Sequence, residues 1–279
     1  MSSQGQKDRA AYFRRLHHGS SPLVLPNVWD AASARVVAQA GFPAVATTSA
    51  GVAAALGYGD GQQISRDMLI EAHARITRVV DCPVTADIEA GYGSTHEEVL
   101  QTVKAMIATG VVGINIEDSL IQPGKTLVDI AYQTELIAAL RELAASLDVP
   151  FVINARVDVF LLAIGEPESR FEHAVRRANA YLEAGADCIY PIGILDRDVI
   201  ANLVKAINGP INILGGSPEP TLPELARLGV ARVSFAGGLM RSVLGHVRTI
   251  ARELFEHGAY AGMYADALSS AEFRSLFTA

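Results

Sequence analysis

The chain has 279 residues, of which 50% are hydrophobic and 19% charged, with a formal net charge of -7 and a sequence pI of about 5.5. This balance excludes a disordered or rod-like polypeptide, and the net negative charge gives no general electrostatic reason to bind nucleic acid or an anionic membrane surface. Cys82 and Cys188 are too few for a disulfide framework and lack zinc-site spacing. With no apolar core in the first twenty residues and no bilayer-length apolar run, a reducing cytoplasm is the expected compartment.

Along the chain, short Val- and Ile-rich runs each precede a longer amphipathic stretch. The expected strands are LVLPN from 23, AVATTS from 44, PVTAD from 83, GINIE from 113, PFVINA from 150, DCIYP from 187, INILG from 211 and RVSFA from 232, eight in all. Runs with so little alternation suit strands buried on both faces, and eight successive β/α units favour closure into a (β/α)8 TIM barrel, one domain over residues 1–279. Gly41, Gly110, Gly185 and Gly229 follow helical patterns, where a left-handed C-cap turns the chain into the next strand. The tail, 239–279, reads as one long helix and a shorter helical piece. Its stripe of Leu244, Val247, Ile250, Ala251 and Leu254 either covers the barrel or meets another subunit.

In such a barrel the active site lies at the C-terminal ends of the strands, and polar residues concentrate there. Asp87 and Glu89 end the third run, Glu117 and Asp118 the fourth, Arg156 and Asp158 follow the fifth, and Asp60 lies in the loop after the second. Carboxylates converging at one rim repel each other unless a cation or protons neutralise them. Because the candidate ligands are all oxygens, the expected ion is Mg2+, with Mn2+ as the alternative, bound by one carboxylate directly and by others through water. Asp118 and Asp158 read as ordinary helix caps or ion-pair partners.

The segments "ADIEAGYG" and "GINIEDS", set between "LPNVWDAASARVVAQAGF" and "VSFAGGLM", resemble the isocitrate lyase and phosphoenolpyruvate mutase superfamily over nearly the whole chain. The resemblance implies that Asp60, Asp87, Glu89 and Glu117 form the magnesium site, with Asp87 as direct ligand. It implies that Arg156 grips a substrate carboxylate or phosphonate, and that a loop of Thr48, Ser49, Ala50 and Gly51 holds another carboxylate near Asp87. Trp29 and Asp30 match the family's Asn-x-Trp-Asp start, with a structural or rim role. Lys125 falls in the region of the family's lid, as a loop cation or proton donor, with a solvated lysine as the plain alternative. A homo-oligomer, tetramer or dimer, is also implied.

Two departures bear on the chemistry. After the fourth strand, "SLIQPGKTLVDIAYQ" contains neither the Cys nor the His of the lyase segment, and the Lys-x-Asn-Ser signature of the phosphonomutases is missing too. Glu89 stands for the family's second Asp, and Ala90 for a Thr. The expected function is a magnesium-dependent lyase that cleaves a carbon-carbon bond of a small α-oxo acid or hydroxy-dicarboxylate through a metal-stabilised enolate. The alternatives are phosphoenolpyruvate mutase or phosphonopyruvate hydrolase chemistry, and a catalytically silent oxo-acid-binding protein. Tyr58 and Tyr92 read as packed phenols near the mouth, "GGSPEP" at 215–220 as a weak phosphate-cradle signal, the seven histidines as non-catalytic and both cysteines as packed thiols.

Overall fold

Because its strands are apolar on both faces, the sheet must be covered outside by helices and filled inside by its own side chains. The computed structural model describes residues 3–119, 126–194, 196–216 and 220–277. Strands β1 (Leu23–Leu25), β2 (Asn27–Val28), β3 (Val45–Thr47), β4 (Val84–Asp87), β5 (Gly113–Glu117), β6 (Val152–Val157), β7 (Cys188–Pro191), β8 (Asn212–Leu214) and β9 (Arg232–Ser234) are all parallel to their partners. Their order is β2-β3-β4-β5-β6-β7 in one group and β1-β9-β8 in the other.

Two seams join these groups. Pro26 has no N–H to give to a ladder, so the first strand is interrupted there: β1 pairs with β9, and β2 with β3. On the far side an Ile189–Ile211 bridge, with Ile189 N donating to Pro210 O at 2.9 Å, links β7 to the run entering β8. With β1 and β2 counted as one strand, eight positions return to their start, which is the expected barrel.

The outer layer comprises α1 (Ser3–Leu16), α2 (Ala31–Gln39), α3 (Ser49–Ala55), α4 (Arg66–Val79), α5 (His96–Ala108), α6 (Ile130–Ser146), α7 (Pro167–Glu183), α8 (Arg197–Ala206) and α9 (Leu222–Leu228). In β5, Ile114 and Ile116 join the apolar core while Asn115 lines the interior cavity, so even this wholly buried strand has one polar side. Helix α1 covers the N-terminal ends of the strands. Its Phe13 is fully buried against Gly113, where a Cβ would stand 3.0 Å from the ring, and Arg14 pairs with Asp187 at 2.8 Å. Gly41, Gly110, Gly185 and Gly229 all have positive φ, as the helix-to-strand turns require.

Two expectations need correction. Thr48 to Gly51 do not form a loop: Thr48 is the N-cap of α3, and Ser49, Ala50 and Gly51 are its first turn. The tail holds α10 (Gly238–His257) followed by two short helices, α11 (Ala261–Ala265) and α12 (Ser270–Ser275), because Gly258 in the left-handed region stops the long helix. Leu244, Val247 and Leu254 on α10 are about half exposed and Phe255 is 91% exposed in the single chain. Among the described residues no helix is long and apolar enough to cross a membrane.

Candidate active site

Parallel register brings the polar strand ends level: Asp87 lies opposite Asn115, and Glu117 opposite Arg156. The Asp87 carboxylate is fixed from two sides. Oδ2 accepts Ser49 N–H at 3.1 Å and Ser49 Oγ–H at 2.8 Å, and Oδ1 accepts Asn115 Nδ2–H at 3.0 Å. Beneath it, the Thr47 hydroxyl accepts Asp87 N–H at 2.9 Å and lies 3.0 Å from His73 Nε2. Burial lowers the pKa of His73, and its Nδ1 lies 2.7 Å from Leu69 O, so the neutral ring donates there and accepts from Thr47. One direction of donation therefore runs from the backbone of Asp87 through Thr47 to a fully buried imidazole.

Glu89 sits at a strained corner. Its φ of 52°, with 55° at both Gln62 and Tyr92, places three non-glycine residues in the left-handed region beside one another, a feature that concentrates at functional sites. Gln62 N–H donates to both oxygens of Glu89, at 3.1 and 2.9 Å, and Tyr92 O–H donates to Oε1 at 3.1 Å. Burial, then the charges of Asp87 and Asp60, nevertheless push the Glu89 carboxyl up to about 7. The corner is tied to the next strand by Glu117 N–H donating to Glu89 O at 2.9 Å.

Arg156 is held before any ligand arrives. Its Nε and Nη2 form a fork on Asp158, at 2.6 and 2.8 Å, while Nη1 pairs with Glu117. Burial alone pulls the guanidinium down, but the bonds to Asp158 and the charge of Glu117 hold it above its ordinary value, fully cationic. Burial pushes Glu117 up to about 8 against the pull of Arg156, helped by the charges of Asp87, Asp158 and Glu89. Asp158 is fully buried and its N–H donates to Asp118 Oδ1 at 2.9 Å. Asp118 in turn accepts from Tyr181 O–H at 2.8 Å and Arg177 Nη1 at 3.1 Å, anchoring the rim to α7. The two acids expected to be ordinary partners thus form a buried chain that positions Arg156.

The remaining expected residues fall as follows. Asp60 is exposed, and its Oδ1 lies 3.4 Å from Ser49 Oγ, making Ser49 the link between it and Asp87. In this arrangement both Ser49 donors serve Asp87. Thr48 is buried, Ala50 is half-buried, and Gly51 leaves no room for a Cβ, which would stand 2.5 Å from Thr48 Cγ2 and 3.0 Å from Trp29 Cβ. Asp30 caps α2 in a reciprocal pair with Ser33. Tyr58 is 45% exposed, whereas Tyr92 touches the site through Glu89. Lys125 lies outside the described residues, as do Ser217, Pro218 and Glu219 of the candidate phosphate cradle. Burial raises the thiol of Cys188 to about 12, which agrees with a packed, unreactive residue.

Below the carboxylates, a cavity of about 40 Å³ opens into the barrel, lined among others by Asp87, Arg156, Thr85, Tyr190 and Arg232. Sequence reasoning missed Thr47, His73 and Asn115 as partners of the site, and read Asp158 only as a helix cap or ion-pair partner, the second of which it is. The alternation within VTAD and GINIE carries a signal for Asn115, but nothing in the helical pattern around His73 marks it as reaching the strand ends. Among the described residues no three His, Cys, Asp or Glu side chains are grouped to ligate one ion directly. The donors nevertheless fit magnesium bound largely through water: they are all oxygens, and Glu89 is held up by burial and then by the charges of Asp87 and Asp60, the part that a divalent cation would relieve.

A parallel eight-stranded barrel with clustered carboxylates and one pre-positioned arginine at its C-terminal rim has the layout of an α/β-barrel enzyme. The model of the phosphoenolpyruvate phosphomutase family matches residues 13–255, and the chain belongs to that family, within the isocitrate lyase and phosphoenolpyruvate mutase superfamily. It is 31% identical over 267 residues to 2-methylisocitrate lyase of Escherichia coli K12, covering 91% of this chain and 86% of that one. It is also 31% identical over 234 residues to oxaloacetate decarboxylase of Pseudomonas savastanoi pv. phaseolicola, covering 82% and 77%. A solved structure of phosphonopyruvate hydrolase in complex with oxalate and Mg2+ matches with a TM-score of 0.85 at 26% identity, covering 96% of this chain and 94% of that one. The chain is accordingly an enzyme of this lyase and mutase superfamily.

Proposed function

We propose that this enzyme is a magnesium-dependent lyase that breaks a carbon-carbon bond in a small α-oxo acid or hydroxy-dicarboxylate, by a retro-aldol or decarboxylation route. The observation that carries the reading is the meeting of Asp87, Glu89 and Glu117 with Arg156 at one rim, where burial and mutual repulsion raise two of the three carboxyls. Asp87 would hold the ion directly, with Asp60, Glu89 and Glu117 reaching it through water. When bound, magnesium supplies Lewis acidity, drawing off the negative charge that builds on a substrate oxygen as the neighbouring bond breaks.

The protein's own residues do the rest. Asp158 and Glu117 keep Arg156 charged and oriented, so that its fork meets a carboxylate with little reorganisation. Ser49 and Asn115 fix the plane of the Asp87 carboxylate, and Gly51 allows α3 to close against Trp29. The proposed proton-transfer role of Lys125 is carried by its position in sequence alone. The half-exposed apolar face of α10 fits assembly into a dimer or tetramer, which light scattering would measure.

The deciding experiment assays oxaloacetate, a methylisocitrate-type acid and phosphonopyruvate, each with magnesium and then with chelator. Metal-dependent turnover of either of the first two supports the proposal. Turnover of phosphonopyruvate alone would replace it with phosphorus-carbon chemistry, and tight oxo-acid binding without turnover would favour the silent binding protein.

A further inference from the structure

The barrel lumen contains one cation, Arg232, with no ion-pair partner among the described residues, the nearest carboxylate acting on it being that of Asp87. Arg232 opens β9 and is only 2% exposed, yet its Nε and Nη1 have no hydrogen-bond partner, and no ion pair to it occurs among the described residues. Its guanidinium stands 6.0 Å from the ring centre of Phe13, a weak compensation for a fully desolvated charge. Two hydroxyls line the same cavity: Thr85 Oγ1 is likewise buried and unpartnered, and Tyr190 Oη is buried with the Ser234 hydroxyl as its only polar neighbour of note and no well-formed hydrogen bond.

Most other polar groups of the lumen are matched, although Asn154 Oδ1 is buried without a partner among the described residues. Asn27 donates to Thr47 O and accepts Phe235 N–H, Asn115 joins Asp87 to Asn154, and Asn212 donates to Ser234. Asp87, the carboxylate lining this cavity, has both oxygens engaged by Ser49 and Asn115. What remains is still an excess of donors: two guanidinium N–H groups and the Thr85 hydroxyl, with Tyr190 beside them, against one unpartnered acceptor, Asn154 Oδ1. A water needs roughly 10–15 Å³ of such space, so the cavity of about 40 Å³ holds about three waters, or one small anion and a water.

We propose that Arg232, Tyr190 and Thr85 form an anion site inside the barrel, on the N-terminal side of Asp87, that holds one monovalent anion of carboxylate or halide size. The anion balances the buried guanidinium and satisfies donors that water, itself half donor, satisfies less well. Its source is either a free ion from solution or a carboxylate of the substrate entering from the rim. The site stands without the lyase reading, since it rests on charge and donor balance in the lumen.

The test follows thermal unfolding of the full chain in sodium formate against sodium gluconate, whose anion is too large for the cavity, at constant ionic strength. Wild type gains a saturable rise of roughly 5 °C or more at about a hundredfold excess of formate over its Kd, and Arg232→Met loses it. No formate-specific rise in wild type, or an equal rise in Arg232→Met, overturns the proposal. Should that variant not fold, wild-type crystals in sodium bromide decide: an anomalous peak within contact of Arg232 supports the site, and water alone there overturns it. With oxalate and magnesium chloride added, loss of the bromide peak assigns the position to a ligand carboxylate and its persistence to a free ion, each in keeping with an anion site.

Discussion

Replacing Asp158 by Asn changes one atom of the rim and removes the charge that fixes Arg156. The wild-type fork is closed by two bonds of 2.6 and 2.8 Å to a carboxylate that is itself fully buried. In the variant one amide oxygen still accepts, but the amide nitrogen faces a guanidinium N–H, and Glu117 alone must balance the buried cation. Breaking a buried pair on one side costs about 3–5 kcal/mol, and because Asn keeps the volume and one acceptor, the lower end applies. At about 2–4 °C per kcal/mol for a domain of this size class, Tm should fall by about 6 °C or more. Turnover of the best oxo-acid substrate should fall in kcat/KM by about tenfold or more, because a fork displaced by an ångström loses its carboxylate geometry. Adding Arg156→Met to Asp158→Asn should recover part of the stability, since the buried guanidinium is gone and Glu117, no longer pulled down by it, takes up a proton, while leaving activity lost. A Tm within about 2 °C of wild type together with unchanged kcat/KM would refute the view that Asp158 positions Arg156.

Asp87→Ala should abolish magnesium-dependent oxalate binding in calorimetry while circular dichroism shows the fold retained; undiminished binding would remove Asp87 from the metal site. Gly51→Ala gains helix propensity of about 1 kcal/mol but forces its Cβ against Thr48 and Trp29, so a net loss of about 1–2 kcal/mol is expected in urea unfolding. His17 is buried, and burial, then the charge of Arg232, pushes it from 6.5 down to about 3. The unfolded chain therefore takes up this proton below about 6.5 and the folded chain only near 3. Stability is full above the unfolded value and falls with pH, by about 2 kcal/mol at about pH 5 from this group. His17→Leu should flatten the difference between urea unfolding at neutral and mildly acid pH by that amount, and parallel pH profiles of the two proteins would count against the assignment.

The barrel was legible in the sequence because its cause is local. A run such as GINIE, apolar enough to be buried and short enough to be a strand, followed by an amphipathic helix and a glycine that can take positive φ, states its own structure residue by residue. Pro26 was equally visible, yet its effect, splitting one strand between two neighbours, depends on which strands lie beside it. The rim acids could be located as strand ends, and their family resemblance named a metal site, but sequence spacing could not divide them by role.

What the sequence determined by itself was the fold class, the end of the barrel that carries the chemistry and the kinds of side chain gathered there, since these follow from periodicities within about ten residues. Only the tertiary structure decided that Asp118 and Asp158 form a buried chain behind Arg156, that His73 reaches Asp87 through Thr47, and that Arg232 Nε and Nη1 lack a hydrogen-bond partner among the described residues. The reason is physical: hydrogen bonding and desolvation depend on neighbours brought from strands and helices distant in sequence, and closure of the barrel is what makes them neighbours.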